Sequence, residues 1–213
     1  MPKGWTNNTH GSRSKSWRWL QDNYQAVADH LSPFEYEATR RYDKGNYWWE
    51  LRACDYYDEF EKEKICWGNL AKGAPFSLEL VKSYVNAPAC IMNTNDRYIL
   101  GCINSKLLWW YLKQIAPQRR GGFIEAKPHY VKQLPIRLID FENTKDKKLH
   151  DTVVKLVERM LQLNKDLQKA KTSHRKEVIQ RQINTTDKQI DKLVYKLYDL
   201  TEKEIAIVEE GVK

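Results

Sequence analysis

Seven cations and one acid lie between residues 106 and 137: Lys106, Lys113, Arg119, Arg120, Lys127, Lys132 and Arg137 against Glu125. That window carries +6 of the +8 net charge of this 213-residue chain. At its centre, Arg119-Arg120-Gly121-Gly122 reads as a loop. Glycines there let the backbone approach a phosphate, and the guanidinium groups can fork onto phosphate oxygens or onto O6 and N7 of guanine. A second basic group, Arg40, Arg41 and Lys44, precedes an aromatic run, and Lys72 sits in the turn Lys72-Gly73-Ala74-Pro75. Basic loops are also ordinary solvated surface. Contact with an acidic polymer, nucleic acid first, is the stronger reading because loop and charge coincide. The candidate contact residues are Arg40, Arg41, Lys44, Lys72, Arg119, Arg120, Lys127 and His129.

Other chemistries find less support. Glu125-Ala126-Lys127 has the E-x-K spacing in which a carboxylate holds Mg²⁺ and a lysine polarises a phosphate. No clear partner aspartate precedes it on a hairpin, and the tripeptide often arises by chance. The acids Asp55, Asp58, Glu59, Glu61 and Glu63 alternate with Tyr and Lys, which suits a solvated strand edge better than a metal site. His129 has no acid or nucleophile beside it that would make it catalytic. The cysteines Cys54, Cys66, Cys90 and Cys102 form no C-x₂₋₄-C pair, and their apolar neighbours predict reduced, mostly buried thiols. None of the seven prolines are adjacent and no G-x-G occurs. The chain therefore lacks the Pro-Pro-aromatic loop and the glycine-rich turn with which an adenine methyltransferase holds a flipped base and its methyl donor.

The elements that must position these residues fall into three zones. Residues 1–15 are polar and predict a flexible arm. Residues 16–140 begin with a helix from Ser16 to Leu31, stopped by Ser32-Pro33, and a further helical turn over 34–41. Short β-like runs follow at Tyr47–Leu51, Lys64–Trp67, Tyr84-Val85 and Cys90–Met92. Of the paired tryptophans, a strand would turn one inward and leave the other partly exposed; Leu51, Ile65 and Ile91 are expected in the core. A helical stretch over 97–116 breaks near Asn104, with Ser105 as the N-cap of its second half, and a short helix is expected from Pro128 to Gln133. Residues 141–213 predict two long helices, with the polar segment Lys169–Lys176 turning the chain back into a hairpin. Thr201-Glu202-Lys203-Glu204 is a capping box that opens a last helix. The expected class is α+β: a small twisted, mostly antiparallel sheet with flanking helices, then a long C-terminal helical hairpin. Apolar content of 41% suffices for a core, and no apolar run approaches the ~20 residues that cross a bilayer, so no membrane association and a cytoplasmic protein are expected.

The runs Ala38–Gly45, Trp48–Tyr57 and Phe60–Ile65, then Ile103–Leu112, Arg120–Ile124, Tyr130–Ile136 and Thr186–Tyr195, resemble TaqI-like C-terminal specificity domains in sequence and order. These are the target-recognition domains of Type IIG restriction enzymes and related N6-adenine DNA methyltransferases. The resemblance implies docking in the major groove of double-stranded DNA, presenting a target adenine to a methyltransferase or endonuclease domain or subunit. On that reading the chain is non-catalytic. S-adenosylmethionine and Mg²⁺ are expected only on the catalytic domains, which are absent from it. Glu125 stands where the family often has a basic residue. The C-terminal helices, at 15 basic to 12 acidic residues over 146–213, suit a spacer or protein-docking element. The competing expectation is that these helices mediate self-association or dimerisation, with little DNA binding by the chain.

Overall fold

A computed structural model describes residue 6 and residues 10–52 and 57–212. Cys54 and Asp55 lie outside the described residues. The chain divides into two compact units, Met1–Asp58 and Glu59–Lys213.

The first unit is helical. Helices α1 (Arg13–Asn23) and α2 (Gln25–Leu31), a 3₁₀ turn at Ser32–Phe34 and α3 (Glu35–Arg40) occupy the stretch where a longer helix and a further turn are predicted. The expected continuous helix breaks at Tyr24, whose φ of −143° and ψ of 57° lie outside the helical region. Leu20 before the break and Ala28 after it share one buried cluster with Trp48 and Trp49, with Trp17 packed against it. Tyr47–Leu51 is a turn rather than a strand. The reason is local: the buried Glu50 carboxylate accepts the backbone N–H groups of Asn46 at 2.6 Å and Tyr47 at 3.1 Å, curling the chain back on itself. Consequently both Trp48 and Trp49 are buried, correcting the inward–outward alternation, and Leu51 is exposed rather than in the core.

The second unit is α+β. Strand β1 (Lys64–Gly68) runs antiparallel between β3 (Ser77–Glu79) and β4 (Ala89–Met92), with Ile65 opposite Leu78 and Met92. A separate antiparallel sheet has the order β2–β6–β5, from Leu70–Ala71, Phe123–Glu125 and Gln118–Arg119. The sheet component is thus two three-stranded sheets. The run at Tyr84-Val85 is not a strand, and Ile91 is half-buried.

Helix α4 (Arg97–Asn104) is capped by Asp96, whose carboxylate accepts from the Tyr98 and Ile99 amides. Ser105 then caps α5 (Lys106–Ile115) through the Leu108 amide, as predicted. After the short α6 (Pro128–Val131), helices α7 (Thr144–Lys169) and α8 (Ser173–Leu197) pack against each other as the expected hairpin. The Thr201–Glu204 capping box opens α9 (Glu202–Gly211). Val153 and Val157 of α7 and Ile190 and Val194 of α8 join the same core as Ile65, Trp67, Leu100, Leu112 and Ile124. Gly101 makes this possible: a Cβ there would lie 2.8 Å from a Val157 methyl and 3.0 Å from a Val153 methyl. Among the described residues, no helix is long and apolar enough to cross a membrane.

The thiols of Cys66 and Cys90 are half-buried and unbridged. Cys102 is fully buried, and burial pushes its thiol up to about 12, which leaves it protonated and inert near neutral pH.

Candidate nucleic-acid interface

Strand alternation sorts the β2–β6–β5 sheet into two faces. Ala71 and Ile124 pair across the sheet and face the core. Leu70, opposite Glu125, and Phe123, opposite Arg119, belong to the other face, and both apolar side chains are exposed. Lys72 follows the same parity and places its ammonium 4.8 Å from the centre of the Phe123 ring. Arg119 donates from Nε to Glu125 Oε1 at 3.0 Å, with Nη2 2.8 Å from the same oxygen. Lys127 Nζ lies 3.2 Å from that oxygen. The two cations hold the Glu125 carboxyl below its usual range, with the Arg119 hydrogen bond the largest cause.

The loop that closes β5 onto β6 turns through Gly121 and Gly122, at φ values of 83° and 80°. Side chains other than glycine rarely adopt such angles, so the pair lets the backbone reverse within two residues. Arg120 at its tip is exposed and makes no hydrogen bond or ion pair among the described residues. His129, exposed on α6, lies beside Tyr130 with ring centres 4.0 Å apart and the rings tilted by 47°. Trp67 anchors the assembly from the first sheet by donating Nε1–H to the Ala126 carbonyl at 2.6 Å.

The structure therefore joins Lys72, Arg119 and Lys127 on one outer face, with Arg120 at its rim. It does not pool the whole basic window. Lys106 binds Glu209 at 2.5 Å, Lys113 donates to the Gly211 carbonyl, and Arg137 pairs with Asp146 at 3.2 Å. Those three cations tie α5 and the segment before α7 to the C-terminal helices. In the first unit, Arg41 donates to the Trp48 and Glu50 carbonyls and Lys44 to those of Thr39 and Arg41, so both build the loop around the tryptophans. Arg40 is exposed on α3 and bonds the Tyr36 hydroxyl at 3.0 Å. A groove of about 730 Å³ in the second unit has Lys72 in its lining and is otherwise lined mainly by core-type side chains such as Leu78, Leu100, Val157 and Met160. It holds none of the clustered arginines.

Residues 18–136 match the family model of the TaqI-like C-terminal specificity domain. The chain belongs to this family. Over 163 residues it is also 28% identical to the Type II restriction enzyme and methyltransferase RM.Eco57I of Escherichia coli. That match takes in 71% of this chain and 16% of the relative's length. Within this specificity domain, the outer face of β2–β6–β5 and its loop lie inside the matched stretch, whereas α7, α8 and α9 follow it. Phe123, Leu70 and the bridging position of Glu125 were not singled out as contact residues from sequence. Strands of two and three residues are too short to signal them in the sequence; the pairing register places them beside Arg119 and Lys72.

Proposed function

We propose that this specificity domain reads a sequence in double-stranded DNA through the outer face of the β2–β6–β5 sheet. In this reading it performs no catalysis itself and serves an adenine methyltransferase or endonuclease situated elsewhere in a longer chain or in another subunit. One observation carries the proposal: on a hairpin that turns through two glycines, Lys72 lies over the exposed Phe123 ring, Arg119 pairs across from Phe123, and Arg119 and Lys127 share the Glu125 carboxylate. Cations at that density suit phosphates, and a flat guanidinium or ring suits base edges. Family membership and the activities in the relative's name point the same way. S-adenosylmethionine and Mg²⁺ chemistry is assigned to the catalytic parts. Glu125, bridged to two cations, acts here as a structural acid rather than a metal ligand.

The apolar stripes of α7 and α8 contribute Val153, Val157, Ile190 and Val194 to the core. This ties both helices into the domain's own core and supports a structural role for them beside the DNA reading.

The test is fluorescence anisotropy of labelled duplexes at increasing salt. Binding that weakens steeply with salt is expected, because each neutralised phosphate releases counterions. The double variant Arg119→Ala/Arg120→Ala should bind at least roughly tenfold more weakly and lower the logarithmic salt slope by about one, for the phosphate contact of Arg120. Absence of binding at low salt, or affinity indifferent to salt, overturns the proposal. Supercoiled plasmid with Mg²⁺ should remain uncut by the pure chain; cleavage abolished by Glu125→Ala would overturn the non-catalytic part.

A further inference from the structure

We infer that Glu125 is a positioning residue that holds Arg119 in the plane needed to read a guanine, so that the pair forms one specificity-determining unit. The inference rests on the DNA reading above and deepens it. A lone arginine on a two-residue edge strand would sweep a wide cone and serve as a mobile point charge. Here, one carboxylate oxygen takes both Nε and Nη2, at 3.0 and 2.8 Å. With that edge pinned, no bond engages Nη1 among the described residues. The guanidinium therefore presents its remaining Nη1/Nη2 fork in a fixed orientation. Two parallel donors match the paired acceptors O6 and N7 of guanine, and no other base offers that pair in the major groove.

Burial separates the roles within the pair. The Glu125 side chain is 10% exposed and sits on the central strand, whereas Arg119 is 56% exposed on the edge. The acid belongs to the scaffold and the arginine to the contact surface. Lys127 binds the same oxygen, completing the neutralisation that an acid needs if it is to sit on a face approaching DNA. An acid kept only to balance charge would be a poor choice there, since it repels phosphate. A fixed orientation gives it a use, because a fork ordered in advance loses less freedom on binding.

The experiment selects bound sequences from a randomised duplex pool with wild type, Glu125→Gln and Arg119→Lys, each checked for wild-type folding by circular dichroism. Affinity for unselected duplex is measured alongside. The expected wild-type profile contains a guanine at one position that both variants relax by roughly tenfold or more. Other positions keep their preferences, and both variants bind unselected duplex at least as well as wild type. Arg119→Lys keeps the charge while removing the fork, so it decides the matter even if Glu125→Gln does not fold. An unchanged guanine preference in either folded variant overturns the inference. So does a uniform loss of affinity across all sequences, which would make Arg119 a phosphate contact, or a flattening of every position together. A wild-type profile with preferences but no guanine refutes this inference alone. Failure of wild type to bind or enrich any duplex refutes the DNA reading, and this inference falls with it.

Discussion

The buried carboxylate of Asp191 on α8 should make folding stability depend on pH in an unusual direction. Its side chain is about 5% exposed. Oδ1 accepts the Lys106 amide at 2.9 Å, at the first turn of α5, while Oδ2 is buried without a hydrogen bond. The Lys106 ammonium is 3.9 Å from Oδ2 and is engaged by Glu209, whose other oxygen accepts the Tyr195 hydroxyl. Burial therefore outweighs the Lys106 contacts and pushes the Asp191 carboxyl from 3.8 up to about 6, with Asp187 nearby adding to the rise. A carboxyl whose pKa is higher in the folded state binds its proton more tightly there. Its contribution is fully present below the unfolded value of 3.8 and is lost as the pH climbs through about 6. The corresponding loss is about 3 kcal/mol. Asp191→Asn keeps an oxygen for the Lys106 amide and removes the titration. Urea denaturation of both proteins from about pH 4 to about pH 8 should show the variant gaining about 2 to 3 kcal/mol relative to wild type. A stability difference that stays flat across that range would refute the claim that burial governs this carboxyl.

Gly101→Ala should lower stability by about 1 to 2 kcal/mol, because overpacking against Val153 and Val157 outweighs the gain in helix propensity; urea midpoints check this. Thr201→Ala removes the hydroxyl that accepts the Glu204 amide, leaving the backbone amide of residue 201 on the Glu204 carboxylate, and should cost about 1 kcal/mol, read as faster amide exchange in the first turn of α9. Trp67→Phe leaves the buried Ala126 carbonyl without its indole donor and should cost about 1 to 3 kcal/mol, read by thermal or urea unfolding.

The helices were legible wherever period and cap agreed. The spacing of Val153, Ile190 and Val194, the Ser105 cap and the Thr201–Glu204 box each state a local preference that packing then reinforces. Tyr47–Leu51 misled because its aromatics favour strands, while one carboxylate, Glu50, captures two backbone amides and forms a turn instead. The basic candidates were visible as charges, but their grouping was not. It depends on β2 pairing with β6 across more than fifty residues, through strands of two and three residues that are too short to show a period. Equally hidden was the internal use of Lys106 and Lys113, whose partners Glu209 and Gly211 lie 103 and 98 residues away.

On the proposed DNA reading, the parity of the β2–β6–β5 sheet has a bearing on how such a domain changes its target. Ala71 and Ile124 carry the packing, whereas Leu70, Lys72, Arg119 and Phe123 lie on the opposite face. Heritable variation on that face leaves the buried set in place, so new preferences can be sampled on an intact scaffold. The same separation makes these four positions the natural ones to randomise in a library intended to retarget the domain, with Glu125 varied together with Arg119 rather than alone.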